Sequence, residues 1–270
     1  MAIDGRSYST LKVGNGTTVK IEYRDYAKST SDIAKEYALL GYPDRYVIFT
    51  EHQSSSDITQ TKLTSGNLDN GVFASLILRP MFSPEQAASL GPLSIVSLTQ
   101  ALDAYTPKEL GISWVNDIVC EGIKIGGTQI EGKLKDATSY DYVIVTFAAR
   151  LDEKNFPPRL QDSVKRVFEK TPLSHGMMII KSVLDRFFTE YANIGTSKKH
   201  HKYYIKKFAL CDVKIKYIDN RKRKSAVVVG LDEETLSLIV KPHFKNEVVI
   251  SKPSAVIIPG RITKPKKKEK

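Results

Sequence analysis

The sequence predicts an α+β fold, in which a mixed β-sheet with packed helices is followed by a small C-terminal β-barrel. Up to about residue 202, apolar strands alternate with helices whose apolar residues recur at helical spacing. From Lys206 onward the chain consists of short strands separated by turns, which is typical of small barrels. We therefore expect a first domain over residues 1–202, a barrel over 203–262 and a basic tail over 263–270.

The composition indicates a globular protein. The 270 residues are 41% hydrophobic and 26% charged, which excludes a disordered chain and allows a large domain beside a small one. No apolar stretch approaches the roughly 20 residues that cross a bilayer. Because the N-terminus also lacks the pattern of a signal peptide, we expect a cytoplasmic or mitochondrial protein with no membrane partner.

The two cysteines do not indicate a metal site or a disulfide. Cys120 and Cys211 lie far apart in sequence and have no metal-ligand spacing. We interpret both as reduced structural thiols, and we assign no residue as a dedicated metal ligand.

The net charge of +11 is concentrated in three basic segments, namely Lys198–Lys202, Arg221–Lys224 and Lys264–Lys270. Such segments are most often solvated loops and tails. The alternative is that they contact RNA or an acidic partner.

The elements are predicted from periodicity and from turn residues. In the first domain the strands are Val19–Tyr23, Tyr46–Thr50, Gly71–Pro80 and Asp141–Phe147, and the helices are Ser29–Leu40, Pro92–Tyr105, Arg159–Lys170 and Ser174–Ala192. Asn193–Lys202 is predicted to be a basic linker. The five barrel strands are Val213–Tyr217, Ser225–Gly230, Leu236–Val240, Glu247–Ile250 and Ala255–Ile258.

A central hairpin holds the main candidate site. Its predicted strands are Ile112–Val119 and Ile123–Glu131, joined by a tight turn. Strict alternation would place Lys124, Gly126, Thr128 and Ile130 on one face. Glycines inside a strand mark a bulge or a close approach, and a neighbouring Lys can contact a phosphate or carboxylate. An ordinary hairpin with an exposed Lys is the other interpretation.

This hairpin resembles the biotin protein ligase family. The resemblance rests on Trp114-Val115-Asn116-Asp117, on Lys124-Ile125-Gly126-Gly127 and on Glu131, and it extends over roughly residues 18–258. It implies a biotin/lipoate ligase catalytic domain, similar to class II aminoacyl-tRNA synthetases, followed by an SH3-like barrel. It also implies dimers formed through sheet edges.

The resemblance implies roles for individual residues. Lys124 would be catalytic in forming biotinyl-adenylate from biotin and ATP. The residues implied for the nucleotide and its magnesium are Trp114, Asn116 and Asp117, and those implied for biotin are Ser29, Thr30, Gln53, Gly126 and Gly127. Without the resemblance, Ser29 with Asp32 indicates only a helix cap.

Two segments depart from the family pattern. Ser56–Thr61 replaces a loop rich in Gly and Arg, and it places Asp57 where a cation should face phosphate. Thr146–Arg150 lacks the family's glycines and Asn. Lys62 and Arg150 are the candidate replacement cations. We expect weaker ATP binding, because each lost charge-assisted contact is worth about 1.5–3 kcal/mol.

These observations leave two main functional hypotheses. The first is an ATP-dependent ligase that biotinylates a lysine in the carrier domain of a carboxylase, with a lipoate or octanoate ligase as a variant. The second is a catalytically inactive ligase fold that acts as a binding or scaffold subunit, for example in an RNA-containing assembly. A dedicated nucleic-acid-binding protein is a third hypothesis.

Overall fold

The computed structural model describes residues 5–53, 71–150, 175–243 and 245–263. Its main feature is an eight-stranded sheet with the strand order β1-β2-β3-β4-β8-β7-β6-β5. The strands are β1 (Arg6–Val13), β2 (Thr17–Arg24), β3 (Tyr46–Thr50), β4 (Gly71–Leu78), β5 (Leu110–Ser113), β6 (Asp117–Cys120), β7 (Ile123–Leu134) and β8 (Tyr140–Arg150).

The sheet is mixed, as predicted. β2 and β3 are parallel, and the other neighbouring pairs are antiparallel. Parallel neighbours need a crossover connection, and helix α1 (Thr30–Leu39) provides it. Ser29 caps this helix by accepting a hydrogen bond from the Asp32 amide at 3.1 Å, which confirms the predicted cap.

Different helices cover the two faces of the sheet. Alternate residues of β4, such as Val72 and Leu76, belong to the main core with helices α2 (Leu90–Asp103) and α3 (His175–Tyr191). On the opposite face, Ile48, Ile77 and Ile144 pack with Ala34, Tyr37 and Ala38 of α1. Because α1 is short, it covers only part of that face.

The C-terminal part forms a separate five-stranded antiparallel sheet with the order β12-β11-β10-β9-β13. Its strands are β9 (Lys214–Asp219), β10 (Lys222–Leu231), β11 (Leu238–Pro242), β12 (Val248–Ile250) and β13 (Val256–Ile257). All five predicted barrel strands are therefore present, with shifts of a few residues at their ends.

The predicted basic linker is wrong in its second half. Residues Lys199–Lys207 form helix α4, in which His200, His201 and Tyr204 are buried. The predicted domain boundary after residue 202 falls inside this helix. Lysines dominate this segment and two histidines form part of its buried side, so apolar periodicity alone does not indicate the helix.

Three hydrogen bonds connect the C-terminal part and α4 to the central hairpin. The Trp114 indole N–H donates to the Leu236 carbonyl at 2.8 Å, and the Tyr204 hydroxyl donates to the Val115 carbonyl at 2.6 Å. The Ile262 amide donates to the Gly122 carbonyl at 2.9 Å. The hairpin is thus held from the barrel side at residues 114–115 and at Gly122.

The predicted fold class is confirmed, since the structure combines a mixed sheet, helices and a curled C-terminal sheet. The sequence prediction missed β1, whose polar, mostly exposed residues show little apolar periodicity. The predicted helix Arg159–Lys170 lies outside the described residues. Of the helices that the structure describes, none is long and apolar enough to cross a membrane.

Candidate functional site

The first predicted strand of the central hairpin is wrong as a single element. Ile112–Val119 is divided between β5 and β6 by a turn at residues 114–116, which contains a cis peptide bond between Trp114 and Val115. Apolar and β-branched residues on both sides of the turn produce one continuous strand pattern in the sequence, and this pattern concealed the turn.

A bulge in β7 changes the predicted face of Lys124. Gly126 pairs with Ile118, whereas Lys124 pairs with Val119, so Ile125 is the extra residue. The bulge that the glycines predicted is confirmed. Because directly opposed residues share a face, Lys124 lies on the face of Asp117 and Gly127, opposite to Gly126 and Thr128. The expectation that Lys124 and Gly126 share a face is therefore wrong.

Lys124 forms an ion pair with Asp117. The Lys124 Nζ atom lies 3.0 Å from Asp117 Oδ1, and the two side chains are only 14% and 20% exposed. Burial lowers the pKa of Lys124, and the Asp117 carboxylate opposes this shift. The site therefore contains a partly buried ammonium, and the Asp117 carboxylate favours its protonated form.

The glycine pair allows the backbones of neighbouring strands to approach closely. A Cβ atom on Gly127 would lie 2.5 Å from the Asn116 carbonyl oxygen, and one on Gly126 would lie 2.5 Å from the Ala148 carbonyl oxygen. Both distances are shorter than van der Waals contact, so a larger residue would displace the hairpin. The close approach that the structure demonstrates is between strands, and substrate binding by the two glycines stays a prediction.

A second cluster of polar side chains lies around the start of α1. The Thr30 amide donates to Gln53 Oε1 at 3.0 Å, and both residues are buried. The Ser75 hydroxyl donates to Thr30 Oγ1 at 3.0 Å and also lies 3.0 Å from Thr146 Oγ1. Since a hydroxyl has a single proton, Thr146 must donate to Ser75, and Thr30 keeps its own proton for another acceptor.

We call Thr30, Gln53, Ser75 and Thr146 the Thr30 group, and Lys124 with Asp117 the Lys124 group. Strand register shows that these two groups share one face of the sheet. Ser75 pairs with Thr146, and Thr146 pairs with Gln129, so the three side chains cross β4, β8 and β7 in one row. Gly127, two residues from Gln129, belongs to the same face and pairs with Asp117. The structure therefore places the Thr30 group and the Lys124 group on the same side of neighbouring strands.

Sequence reasoning missed several polar residues of this face. Ser75, Thr146 and Gln129 sit inside predicted strands and were not assigned a ligand role, and only the strand register brings them together. Glu131 also links β7 to α1. Its Oε2 atom lies 2.9 Å from Lys35 Nζ and accepts a hydrogen bond from the Ser31 hydroxyl at 3.0 Å.

The residues predicted to contact the nucleotide occupy different environments. Trp114 is buried, and its N–H is used by the barrel contact. Asn116 Oδ1 is buried and has no hydrogen-bond partner among the described residues. Arg150 is exposed at the end of β8, where it pairs with Gly71. Lys62 and the Ser56–Thr61 loop, including Asp57, lie outside the described residues.

The strand end that departs from the family pattern is tightly packed. Ala148 and Ala149 are 0% and 1% exposed, and Ala148 packs against Phe73. They pair with Gly127 and Gly126, respectively. Of these two residues, Ala148 stands where the family pattern has a glycine, and Thr146 stands at the other glycine position. Within the described residues, no group of three or more His, Cys, Asp or Glu could hold a metal ion.

Comparison with known proteins identifies chains that are similar to this one in sequence and in fold. No family model matches the chain. Over 160 residues, 58% of the chain, it is 26% identical to the bifunctional ligase/repressor BirA of Bacillus spizizenii and to that of Bacillus subtilis. This chain is similar to the biotin protein ligases. The match covers 49% of BirA, so the chain spans about half the length of these curated relatives.

Solved structures confirm the fold of the biotin protein ligase family. An Aquifex aeolicus biotin protein ligase variant in complex with biotin is 17% identical, with a TM-score of 0.62 over 88% of this chain and 98% of that one. A biotin protein ligase-like protein of unknown function from a Silicibacter species is 15% identical, with a TM-score of 0.58 over 86% and 94% of the two chains. At this identity the likeness concerns the fold.

Proposed function

We propose that this chain activates biotin with ATP and transfers it to a lysine of a carrier protein. The observation that carries the proposal is the shared sheet face. The hydroxyls of Thr30 and Ser75 and the amide of Gln53 lie on the same side of the sheet as the Lys124–Asp117 pair. A neutral hydrogen-bonding group and a partly buried ammonium suit a substrate that is polar at one end and carries phosphate at the other.

The Lys124 end is suited to the nucleotide. In the first reaction, a carboxylate oxygen of biotin attacks the α-phosphorus of ATP, and pyrophosphate leaves as the bond to the β-phosphate breaks. The Lys124 ammonium would stabilise negative charge that develops at this phosphorus, which is electrostatic catalysis by a preorganised group. Asp117 would hold the ammonium in position through the 3.0 Å ion pair.

Asn116 and Asp117 fit a magnesium ion that is carried by the nucleotide. Magnesium prefers oxygen ligands and usually binds through one or two carboxylates together with substrate phosphates. The buried Asn116 Oδ1 atom, without a hydrogen-bond partner among the described residues, is one such oxygen, and the Asp117 carboxylate is another. These two residues would orient the triphosphate.

The Thr30 end is suited to the neutral rings of biotin. Thr30 retains a hydroxyl proton that can be donated to a ligand carbonyl, because Ser75 already donates to its oxygen. Gln129 extends the polar row toward Lys124. In the second reaction, the lysine amine of the carrier attacks the activated carbonyl carbon, AMP leaves and the amine loses a proton.

A second candidate is an inactive ligase fold that serves as a binding or scaffold subunit. It is favoured by the buried Thr146 and Ala148, which stand where the family pattern has the glycines that approach its ligand. It is also favoured by the Ser56–Thr61 loop, which has neither Gly nor Arg. Under this alternative, the Lys124–Asp117 pair stabilises the hairpin and takes no part in chemistry.

Release of pyrophosphate in the presence of biotin and Mg-ATP separates the two candidates. The ligase proposal predicts biotin-dependent release that Lys124→Ala reduces at least 100-fold, or about 2.7 kcal/mol. Lys133→Ala is the matched control, because Lys133 lies on the same strand and forms an ion pair with Asp141 away from the site. Absence of release from the unmodified protein would favour the inactive fold, whereas equal loss in both variants would contradict the role assigned to Lys124.

A further inference from the structure

The outward face of the C-terminal sheet has an unusual charge distribution. On β9, the exposed Lys214 and Lys216 alternate with the buried Ile215 and Tyr217. The register places Lys214 beside Val227 of β10, which in turn lies beside Lys241 of β11. Because directly opposed residues share a face, two lysines flank an exposed valine in one row across three strands.

The neighbouring rows repeat this arrangement. Lys216 lies between Ile257 of β13 and Ser225 of β10, and Arg223 lies opposite Ile218. We call the surface formed by Lys214, Lys216, Arg223 and Lys241 the basic barrel face. The paired positions in these rows carry no Asp or Glu, and the one neighbouring acid in register is the exposed Glu247, which directly precedes β12 beside Lys241. None of the ion pairs between described residues involves these four cations.

This surface differs from the basic segments of the sequence. In the first segment, His200 is buried, and burial lowers its pKa to about 4, so it is neutral near pH 7. In the second segment, Lys224 forms an ion pair with Asp219. Only Arg223 belongs both to a basic segment and to the basic barrel face. The fold therefore creates this positive surface from residues that are separated in sequence.

Aliphatic side chains are exposed between the cations. Ile218, Val227 and Ile257 are 41%, 42% and 39% exposed, respectively. Residues two apart on a strand, such as Lys214 and Lys216, are spaced by about 6.7 Å, so the face alternates cationic and apolar contacts over short distances. A single nucleic-acid strand has a complementary pattern, because its phosphates repeat regularly beside the apolar faces of its bases.

We propose that the basic barrel face binds single-stranded nucleic acid. The four cations contact phosphates, and the aliphatic side chains between them contact bases or sugars without selecting a sequence. Other small barrels bind oligonucleotides on an exposed sheet face. This binding is separate from the proposed ligase site, which lies on the eight-stranded sheet.

The proposal can be tested by fluorescence anisotropy with labelled 20-nucleotide oligo(U) RNA and oligo(dT) DNA, in the absence of biotin and ATP. Four phosphate contacts predict a slope of log K against log salt of about −3 for a single strand. Replacing Lys214, Lys216 and Lys241 together by Gln should weaken binding at least tenfold and reduce the slope by about 2.

The matched control replaces the exposed Lys12, Lys20 and Lys135 of the first domain by Gln, which removes the same charge elsewhere. This variant should retain most of the binding. Equal weakening in both variants would show that net charge alone is responsible and would overturn the proposal. Absence of binding at low salt, or displacement by poly-glutamate as effective as by oligonucleotide, would also overturn it. None of these outcomes depends on ligase activity.

Discussion

The polar residues around Thr30 and the Lys124–Asp117 pair form the two ends of one sheet face. These ends differ in how closely they follow the expected ligase pattern. At the Thr30 end, Thr30 and Gln53 are present, buried and hydrogen-bonded to each other. At the Lys124 end, the ion pair with Asp117 is present, but Ala148 stands where a glycine was expected, and the Ser56–Thr61 segment lacks the Gly and Arg that were expected to face phosphate. The difference indicates that the end proposed for the acyl group is better preserved than the end proposed for the nucleotide.

The two ends also depend on different structural features. The sheet that forms the Thr30 end also carries the hydrophobic core under α1, so changes there would reduce stability. The Lys124 end depends on a bulge, two turns and close backbone contacts. Substitutions at the two ends should therefore affect stability, nucleotide use and biotin binding to different degrees.

The largest effect is expected from Gly127→Ala at the Lys124 end. The new Cβ atom would lie 2.5 Å from the Asn116 carbonyl oxygen, so the hairpin must shift. We expect the free energy of unfolding to fall by about 2–3 kcal/mol in urea denaturation. Gly230→Ala is the control, because a Cβ there meets no atom within 4 Å. Equal effects of the two substitutions would contradict the close strand packing at Gly127.

A second prediction concerns the charge of Lys124. Burial lowers the pKa of Lys124, and Asp117 opposes the shift, so Asp117→Asn should lower this pKa further. If pyrophosphate release requires the ammonium, its decline with rising pH should move to lower pH. The pH profile of release measures this shift. An unchanged alkaline limb would show that Asp117 does not control the protonation of Lys124.

A smaller effect is expected from Thr30→Val at the other end. This substitution removes the hydroxyl that would donate to the ligand, while it nearly preserves the shape of the side chain. We expect biotin affinity, measured by calorimetry, to fall about fivefold, which corresponds to about 1 kcal/mol. Thr30→Ser retains the hydroxyl and should restore most of the affinity. Equal affinities of Thr30→Val and the unmodified protein would remove Thr30 from the proposed ligand contacts.

The smallest effect on biotin binding is expected from Ser29→Ala. Its hydroxyl caps α1 by accepting from the Asp32 amide, so thermal or urea unfolding should show a loss of about 1 kcal/mol. Ser29→Asp keeps a capping oxygen and should retain stability. A large loss of biotin affinity in Ser29→Ala, with unchanged stability, would instead make Ser29 mainly a ligand contact.

Periodicity and turn residues predicted most of the fold. The strand Tyr46–Thr50 and the cap at Ser29 were identified because their signals are local. The barrel strands were found for the same reason. The turn at residues 114–116 was missed because its flanking strands both contain apolar β-branched residues, and α4 was missed because its buried side includes histidines.

The site was only partly predictable. Lys124 and Asp117 were identified from a motif, but the bulge at Ile125 reversed the face that alternation assigned to Lys124. Ser75, Thr146 and Gln129 carry no motif, and only the pairing of β4, β8 and β7 makes them neighbours. Long-range strand register is a tertiary property that periodicity along one segment does not encode.

Calorimetric titration of the protein with biotin, with and without Mg-ATP, tests the proposed adenylation site most directly. The account predicts binding of biotin that becomes tighter when Mg-ATP is present, because the two substrates occupy neighbouring ends of one sheet face and react there. Absence of heat at millimolar biotin under both conditions would contradict the account. In that case, the ligase fold would serve a binding function instead of catalysis.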